Sequence, residues 1–194
     1  MTGSDVKPCR LYFATGNRNK FAEVKAILAG FGLTVHRLRT RKMEIQSSSL
    51  KEIASTAALQ IAEVNRTPVL VEDTGLFIEV LSGFPGPYSS FVYRTIGNEG
   101  ILRLMKGKRN RAAVFRSAVA FSPRPGDAHA FLAQTTGRVA ARMRGALWGY
   151  DPIFEPDGEG GLTYAELPRS RKNQISHRSK AFRRFARWYL RTGC

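Results

Sequence analysis

The chain has 194 residues, 43% of them hydrophobic, which suffices for a sizeable core and reads as one domain over 1–194. Lys and Arg number 31 against 15 Asp and Glu, a net charge of +16, so the surface suits anionic partners: nucleotides, nucleic acid or an acidic membrane surface. No apolar run reaches membrane-spanning length, the stretch from Met1 to Arg10 lacks the apolar core of a signal peptide, and Cys9 and Cys194 make no disulfide framework, so the cytoplasm is the expected compartment.

In chain order, Leu11-Tyr12-Phe13-Ala14 reads as a short strand ending at the turn Thr15-Gly16-Asn17. Helical periodicity follows from Lys20 to Phe31, with Phe21, Val24, Ile27 and Leu28 on one face and Gly30 and Gly32 as a stop. Leu33 to Arg39 alternates apolar and basic residues like an exposed strand. Ser49-Leu50-Lys51-Glu52 is a capping-box pattern that opens a helix with the apolar stripe Ile53, Ala57, Ile61 and Val64. Pro68 to Val71 is a buried strand, with Glu72-Asp73-Thr74-Gly75 at its C-terminal end.

The stretch from Gly83 to Tyr88 reads as a rigid loop, and Glu99 to Met105 as a short helix. Ala112 to Phe121 and Ala128 to Thr135 pair as strands across the turn Ser122 to Asp127. A terminal amphipathic helix spans Ser179 to Leu190, with Phe182, Phe185 and Tyr189 inward and Arg183, Arg184 and Arg187 outward. The first part therefore alternates strand and helix, the α/β pattern.

Four places carry chemistry. Thr15-Gly16-Asn17-Arg18-Asn19-Lys20 joins a strand to a helix; N–H groups at a helix start attract phosphate, Gly16 admits close approach, and Lys20 adds a charge. This is not a Walker A loop, and an ordinary strand-to-helix turn is the alternative reading. Glu72 and Asp73 lie at a strand end, where α/β sheets bind ligands, but adjacent strand residues face opposite ways, so one of them at most is expected to reach a given ligand unless the chain turns. Magnesium takes one or two carboxylates plus substrate phosphates, a role open to Glu44 and Asp73. Trp148 and Tyr150 flank Gly149 and are either core aromatics or a base-stacking face. Ser176-His177-Arg178 precedes the last helix, where Ser176 serves equally well as a cap and no acid marks a Ser-His-Asp arrangement.

Taken together these segments resemble the inosine triphosphate pyrophosphatase family nearly end to end. Its Thr/Ser-Gly-Asn-x-x-Lys appears at Thr15 to Lys20, its Glu-Asp-Thr/Ser-Gly-Leu at Glu72 to Leu76, and its Gly-Phe-Pro-Gly-Pro-Tyr-Ser at Gly83 to Ser89. Its Arg-Gly-x-x-x-Gly-Tyr-Asp-Pro-Ile-Phe appears at Arg144 to Phe154, and its Lys-Asn-x-Ile-Ser-His-Arg at Lys172 to Arg178. Trp148 replaces the usual Phe, and Arg171 stands where an acid is common.

The resemblance implies an α/β fold of two lobes around a long mixed β-sheet with a central active-site cleft, and a homodimer. It implies magnesium-dependent hydrolysis of ITP, dITP and XTP to the monophosphate and pyrophosphate. Thr15, Gly16, Asn17 and Lys20 would hold the triphosphate beside Thr74, and Glu44 and Asp73 would bind magnesium, with Asp73 also the base for water. Lys172 would neutralise phosphate charge, Trp148 would stack on the base next to Tyr150, and Ser176, His177 and Arg178 would line the base edge, with Asp151 across the pocket. The rival readings are a basic nucleic-acid-binding protein, motivated by the arginines of the last helix, and a nucleotide sensor without turnover.

Overall fold

The computed structural model describes residues 10–41, 43 and 45–192. Glu44, Cys9 and Cys194 lie outside the described residues. A mixed sheet of seven strands runs in the order β2-β1-β3-β5-β6-β7, with β4 also beside β3. The strands are β1 (Leu11–Ala14), β2 (Val35–Leu38), β3 (Val69–Ile78), β4 (Pro85–Gly86), β5 (Ala112–Arg124), β6 (Asp127–Val139) and β7 (Phe154–Pro156). The helices are α1 (Arg18–Ala29), α2 (Leu50–Asn65), α3 (Ser89–Thr95), α4 (Gly97–Leu104), α5 (Arg169–Ile175) and α6 (His177–Thr192).

The α/β alternation holds through β3, and β1 pairs in parallel with both β2 and β3. From there the sheet turns antiparallel. β3 does not stop at Val71 but runs on as one straight ladder against β5, from Val69↔Ser122 to Ile78↔Ala113. The sequence hides this continuation because Glu, Asp, Thr and Gly read as turn residues, whereas here they form strand. On its other side β3 meets β1 only at Val69 and Leu70, and β4 at Leu76 and Phe77. The edge of residues 71–75 lies between these two partners and opens into the cleft.

Three clusters form the core. One packs α1 and α6 on the sheet through Leu28, Phe13, Phe121, Phe182 and Phe185. A second packs α2 on the opposite face through Ala54, Ala58, Ile61, Val71 and Ala120. A third surrounds the far ends of β3 and β5 with Leu76, Ile101, Phe115, Phe154 and Tyr164. These are the cores of the two lobes, and the open edge of β3 falls between them.

Three local expectations change. Ser49 does cap α2, accepting the Glu52 N–H at 3.3 Å, but the Glu52 carboxylate takes the Ser47 hydroxyl at 2.7 Å, and Ser47 rather than Glu52 receives the Ser49 N–H. Val64 is 79% exposed, and small residues (Ala54, Ala57, Ala58 and Ala62) bring α2 against the sheet instead. The loop expected at Gly83 to Tyr88 contributes β4, where Gly86 O would lie 2.3 Å from a Cβ at Gly75, so only glycine lets the two strands approach.

Candidate active site

The cleft has a volume of about 490 Å³ and is walled by the β1–α1 loop, the open edge of β3, the loop before Asp151 and the start of α6. Its floor is a buried charge network. Lys172 Nζ donates to Glu23 at 2.8 Å and to Asp151 at 2.5 Å. Arg178 donates from Nη1 to Glu23 at 2.6 Å and from Nε to Glu72 at 3.1 Å. Lys20 Nζ lies 3.2 Å from Glu72. Thr74 and Ser117 donate their hydroxyls to Glu72 at 2.6 and 2.9 Å. Three cations thus meet three acids, and such charges persist in an interior only when paired and hydrogen-bonded.

Burial alone would raise the Glu72 carboxyl, but the Arg178 guanidinium, Lys20 and the Thr74 hydroxyl outweigh it and hold Glu72 well below the usual carboxylate range. Glu23 behaves alike: burial opposes, and Arg178 and Lys172 prevail. For Asp151 burial wins over Lys172, and its carboxyl is pushed up. His177 is pushed well below its ordinary value by burial and then by Arg178, so its imidazole is neutral at pH 7. The ring stacks on Phe115 at 4.4 Å and 9°. Neither ring nitrogen has a hydrogen-bond partner among the described residues. A neutral imidazole carries one donor and one acceptor, and both nitrogens are buried here without a partner among the described residues.

The β1–α1 loop is built for close approach. Asn17 caps α1, its Oδ1 accepting the N–H groups of Asn19 at 2.9 Å and Lys20 at 3.1 Å. Thr15 Oγ1 accepts the Asn17 N–H at 3.1 Å. Arg37 from β2 donates to the carbonyls of Thr15 and Gly16, both at 3.1 Å, and fixes the loop from behind. Gly16 lines the cleft, and a Cβ added to it would meet nothing within 4 Å. Gly16→Ala is therefore expected to leave the melting temperature within about 1 °C and to raise KM for a triphosphate about tenfold, measured by steady-state kinetics beside thermal unfolding. An unchanged KM would remove the loop from ligand contact.

Of the residues singled out in the sequence, Thr15, Gly16, Asn17, Lys20, Asp73, Thr74, Trp148, Tyr150, Asp151, His177 and Arg178 line this one cleft. Glu72 and Asp73 face opposite sides of β3, yet both reach the cleft because it opens at the strand's edge. Lys172 and Ser176 do not line it. Lys172 is 2% exposed beneath the floor, and the Trp148 ring centre sits 5.3 Å from both its Nζ and the Arg178 guanidinium carbon. Ser176 is buried and acts as a cap, its Oγ accepting the Ser179 N–H at 3.2 Å. Tyr150 presents its ring, while its hydroxyl donates to the Ser89 carbonyl at 3.0 Å. Arg171 is exposed and pairs with Glu159 at 2.6 Å.

The residue that sequence reasoning missed is Glu23, the acid that joins Lys172 to Arg178. A signal existed: Glu23 lies one turn before Ile27 and beside Val24, on the face of α1 that periodicity assigns to the core. Ser117 was also missed, having no motif of its own inside an apolar strand.

As to a metal, no group of three His, Cys, Asp or Glu side chains closes on a metal-sized site among the described residues. Four groups already surround the Glu72 oxygens, and Asp73 is a further carboxylate that lines the cleft. One carboxylate with substrate phosphates is a donor set that magnesium accepts, so the residues present fit it.

A model described as the Ham1 family matches residues 11–188. The chain belongs to the Ham1 family. Among its relatives in that family, the dITP/XTP pyrophosphatase of Methanopyrus kandleri is 51% identical over 181 residues, covering 93% of this chain and 96% of that protein. The dITP/XTP pyrophosphatase of Thermococcus kodakarensis is 42% identical over 92% of this chain and 96% of its own length. Among solved structures, a HAM1 protein from Coxiella burnetii superposes with a TM-score of 0.83 at 25% identity, over 95% of this chain and 100% of that one. Among the described residues no helix is long and apolar enough to cross a membrane.

Proposed function

We propose that this chain hydrolyses deaminated purine nucleoside triphosphates (ITP, dITP and XTP) to the nucleoside monophosphate and pyrophosphate. The observation that supports the reading is that one cleft is lined by the loop at the start of α1, by the aromatic Trp148 and by the polar residues Asp73, His177 and Arg178. The names of the relatives, dITP/XTP pyrophosphatases at up to 51% identity, point the same way.

Triphosphate hydrolysis needs charge neutralisation and placement of water more than covalent groups. Lys20 and the loop of Thr15, Gly16 and Asn17 bind the phosphates. Asp73 orients the attacking water and takes its proton, and the new oxygen–phosphorus bond forms as the bond to the departing pyrophosphate breaks. Asp73 with Glu44 would hold a divalent ion, magnesium in this reading, which would supply charge neutralisation at the phosphates.

Trp148 stacks on the base. Arg178, with Nε and Nη1 tied to Glu72 and Glu23, cannot swing and so presents a rigid edge. A 6-keto oxygen accepts from such donors, whereas the 6-amino group of adenine meets donor with donor and leaves both unpaired. Lys172 acts from beneath by holding Glu23 and Asp151. The whole is suited to removing damaged nucleotides from the pool as a homodimer in the cytoplasm.

The test is product analysis by phosphorus NMR with dITP. Magnesium should yield dIMP and pyrophosphate in equal amounts, EDTA should abolish turnover, and restored magnesium should recover it. Stepwise release of inorganic phosphate, or full activity in EDTA, would overturn the reading.

A further inference from the structure

A second cavity, also about 490 Å³, lies on the α2 face of the sheet. Lys51 from the first turn of α2, Arg116 from β5, and Lys180 and Arg184 from α6 line it, with Phe77 and Leu132 as apolar wall. No Asp or Glu is among its lining residues. The active-site cleft, by contrast, answers each buried cation with an acid. None of the four cations here makes an ion pair among the described residues. The nearest acid in sequence, Glu52, accepts the Ser47 hydroxyl.

The cations are held in place all the same. The Arg116 guanidinium carbon sits 4.5 Å above the centre of the Phe77 ring, which keeps the charge over the cavity without neutralising it. Lys180 Nζ donates to the carbonyl of Gln134 and the hydroxyl of Thr135, both at 3.3 Å, and Arg184 donates to the carbonyl of Leu132. These carbonyls belong to the outer edge of β6, where β7 pairs only with Gly137 to Val139. The two side chains therefore reach around an open sheet edge and bring their charge to the cavity mouth. Four like charges around one void repel each other, and a multiply charged anion bound between them relieves that repulsion.

We propose that this cavity binds a small phosphate-bearing anion, at a site separate from the catalytic cleft. Phosphoryl oxygens suit both the fork of two arginines and the point charges of two lysines. A cavity of about 490 Å³ has room for a compact polyanion between these four side chains. Inorganic pyrophosphate is the natural probe. If the proposed function holds, it is also the reaction's own product, but the binding claim does not depend on that reading.

The experiment is calorimetric titration of the full chain with inorganic pyrophosphate, repeated with inorganic phosphate and with dIMP to separate the sources. Two sites are expected in the wild type. Arg116→Gln/Lys180→Gln should weaken one of them about tenfold or more and spare the other, and Lys20→Gln should do the reverse. Should the double variant fail to fold, Lys180→Gln alone and a crystal soaked with pyrophosphate carry the test, with density expected between Arg116 and Arg184. A single site lost only in Lys20→Gln would overturn the proposal. So would a cavity that ignores all three small anions and binds an oligonucleotide instead.

Discussion

Asp73→Asn should lower kcat on dITP by about 10²–10⁴-fold, the range that a positioned general base supplies, while the protein stays folded. Asn matches Asp in size, and Asp73 is only half-buried on a strand fixed by its ladder to β5. The loss should appear in kcat more than in KM if Asp73 acts mainly on the attacking water. It should be accompanied by a weaker response to magnesium if the same carboxylate holds the ion. Steady-state kinetics at several magnesium concentrations separate the two roles. Wild-type turnover in the variant would remove Asp73 from both.

Arg178→Met should destabilise the fold more than any other single change in the cleft. Arg178 is 2% exposed and bonds two acids, Glu23 and Glu72, that are themselves 4% and 5% exposed. Removing one partner of a buried pair leaves uncompensated charge and costs about 3–5 kcal/mol, which in a chain of this size lowers Tm by roughly 6–20 °C. The pH response gives an independent signature. Both carboxyls sit below their ordinary values in the folded protein, Glu72 through Arg178 and Lys20 and Glu23 through Arg178 and Lys172, each against the pull of burial.

Their contribution to stability is therefore present above the unfolded carboxyl value of about 4.3 and is lost as pH falls through the lowered folded values. Without Arg178 those folded values rise, so the acid unfolding midpoint should move to higher pH. Thermal unfolding as a function of pH reads both effects. A small drop in Tm with an unmoved acid limb would mean that the network contributes little.

The parts of the molecule legible in the sequence are those with a local physical signature. β1, α1 and α6 announce themselves by periodicity, and Asn17 and Ser49 by capping chemistry. The cleft loop at Thr15 to Lys20 and the run from His177 stand where a strand or a loop meets a helix, which short-range patterns mark well. The hidden parts depend on the third dimension. That β3 continues through Glu72 to Gly75 follows from its long ladder with β5, which no local window contains. The pairing of Glu23 with Lys172 spans 149 residues, and it forms because α1, which carries Glu23, and α5, which carries Lys172, both pack beside α6. Lys172 and Ser176, read as ligand contacts, are buried and do not line the cleft: Lys172 on α5 is drawn to Glu23 and Asp151, and Ser176, between α5 and α6, caps the Ser179 N–H. The basic cavity beside α2 was illegible for the same reason: its four cations come from three separate elements.

The central claim is selectivity for deaminated purines by a metal-assisted pyrophosphohydrolase. It is tested most directly by the rate of pyrophosphate release from dITP, XTP, dGTP and dATP, measured side by side with magnesium present. The account predicts ready turnover of dITP and XTP, and a kcat/KM for dATP lower by on the order of 10²–10⁴-fold, since adenine leaves buried donors unpaired. Equal rates on all four, or none on any of them with the protein demonstrably folded, would contradict it.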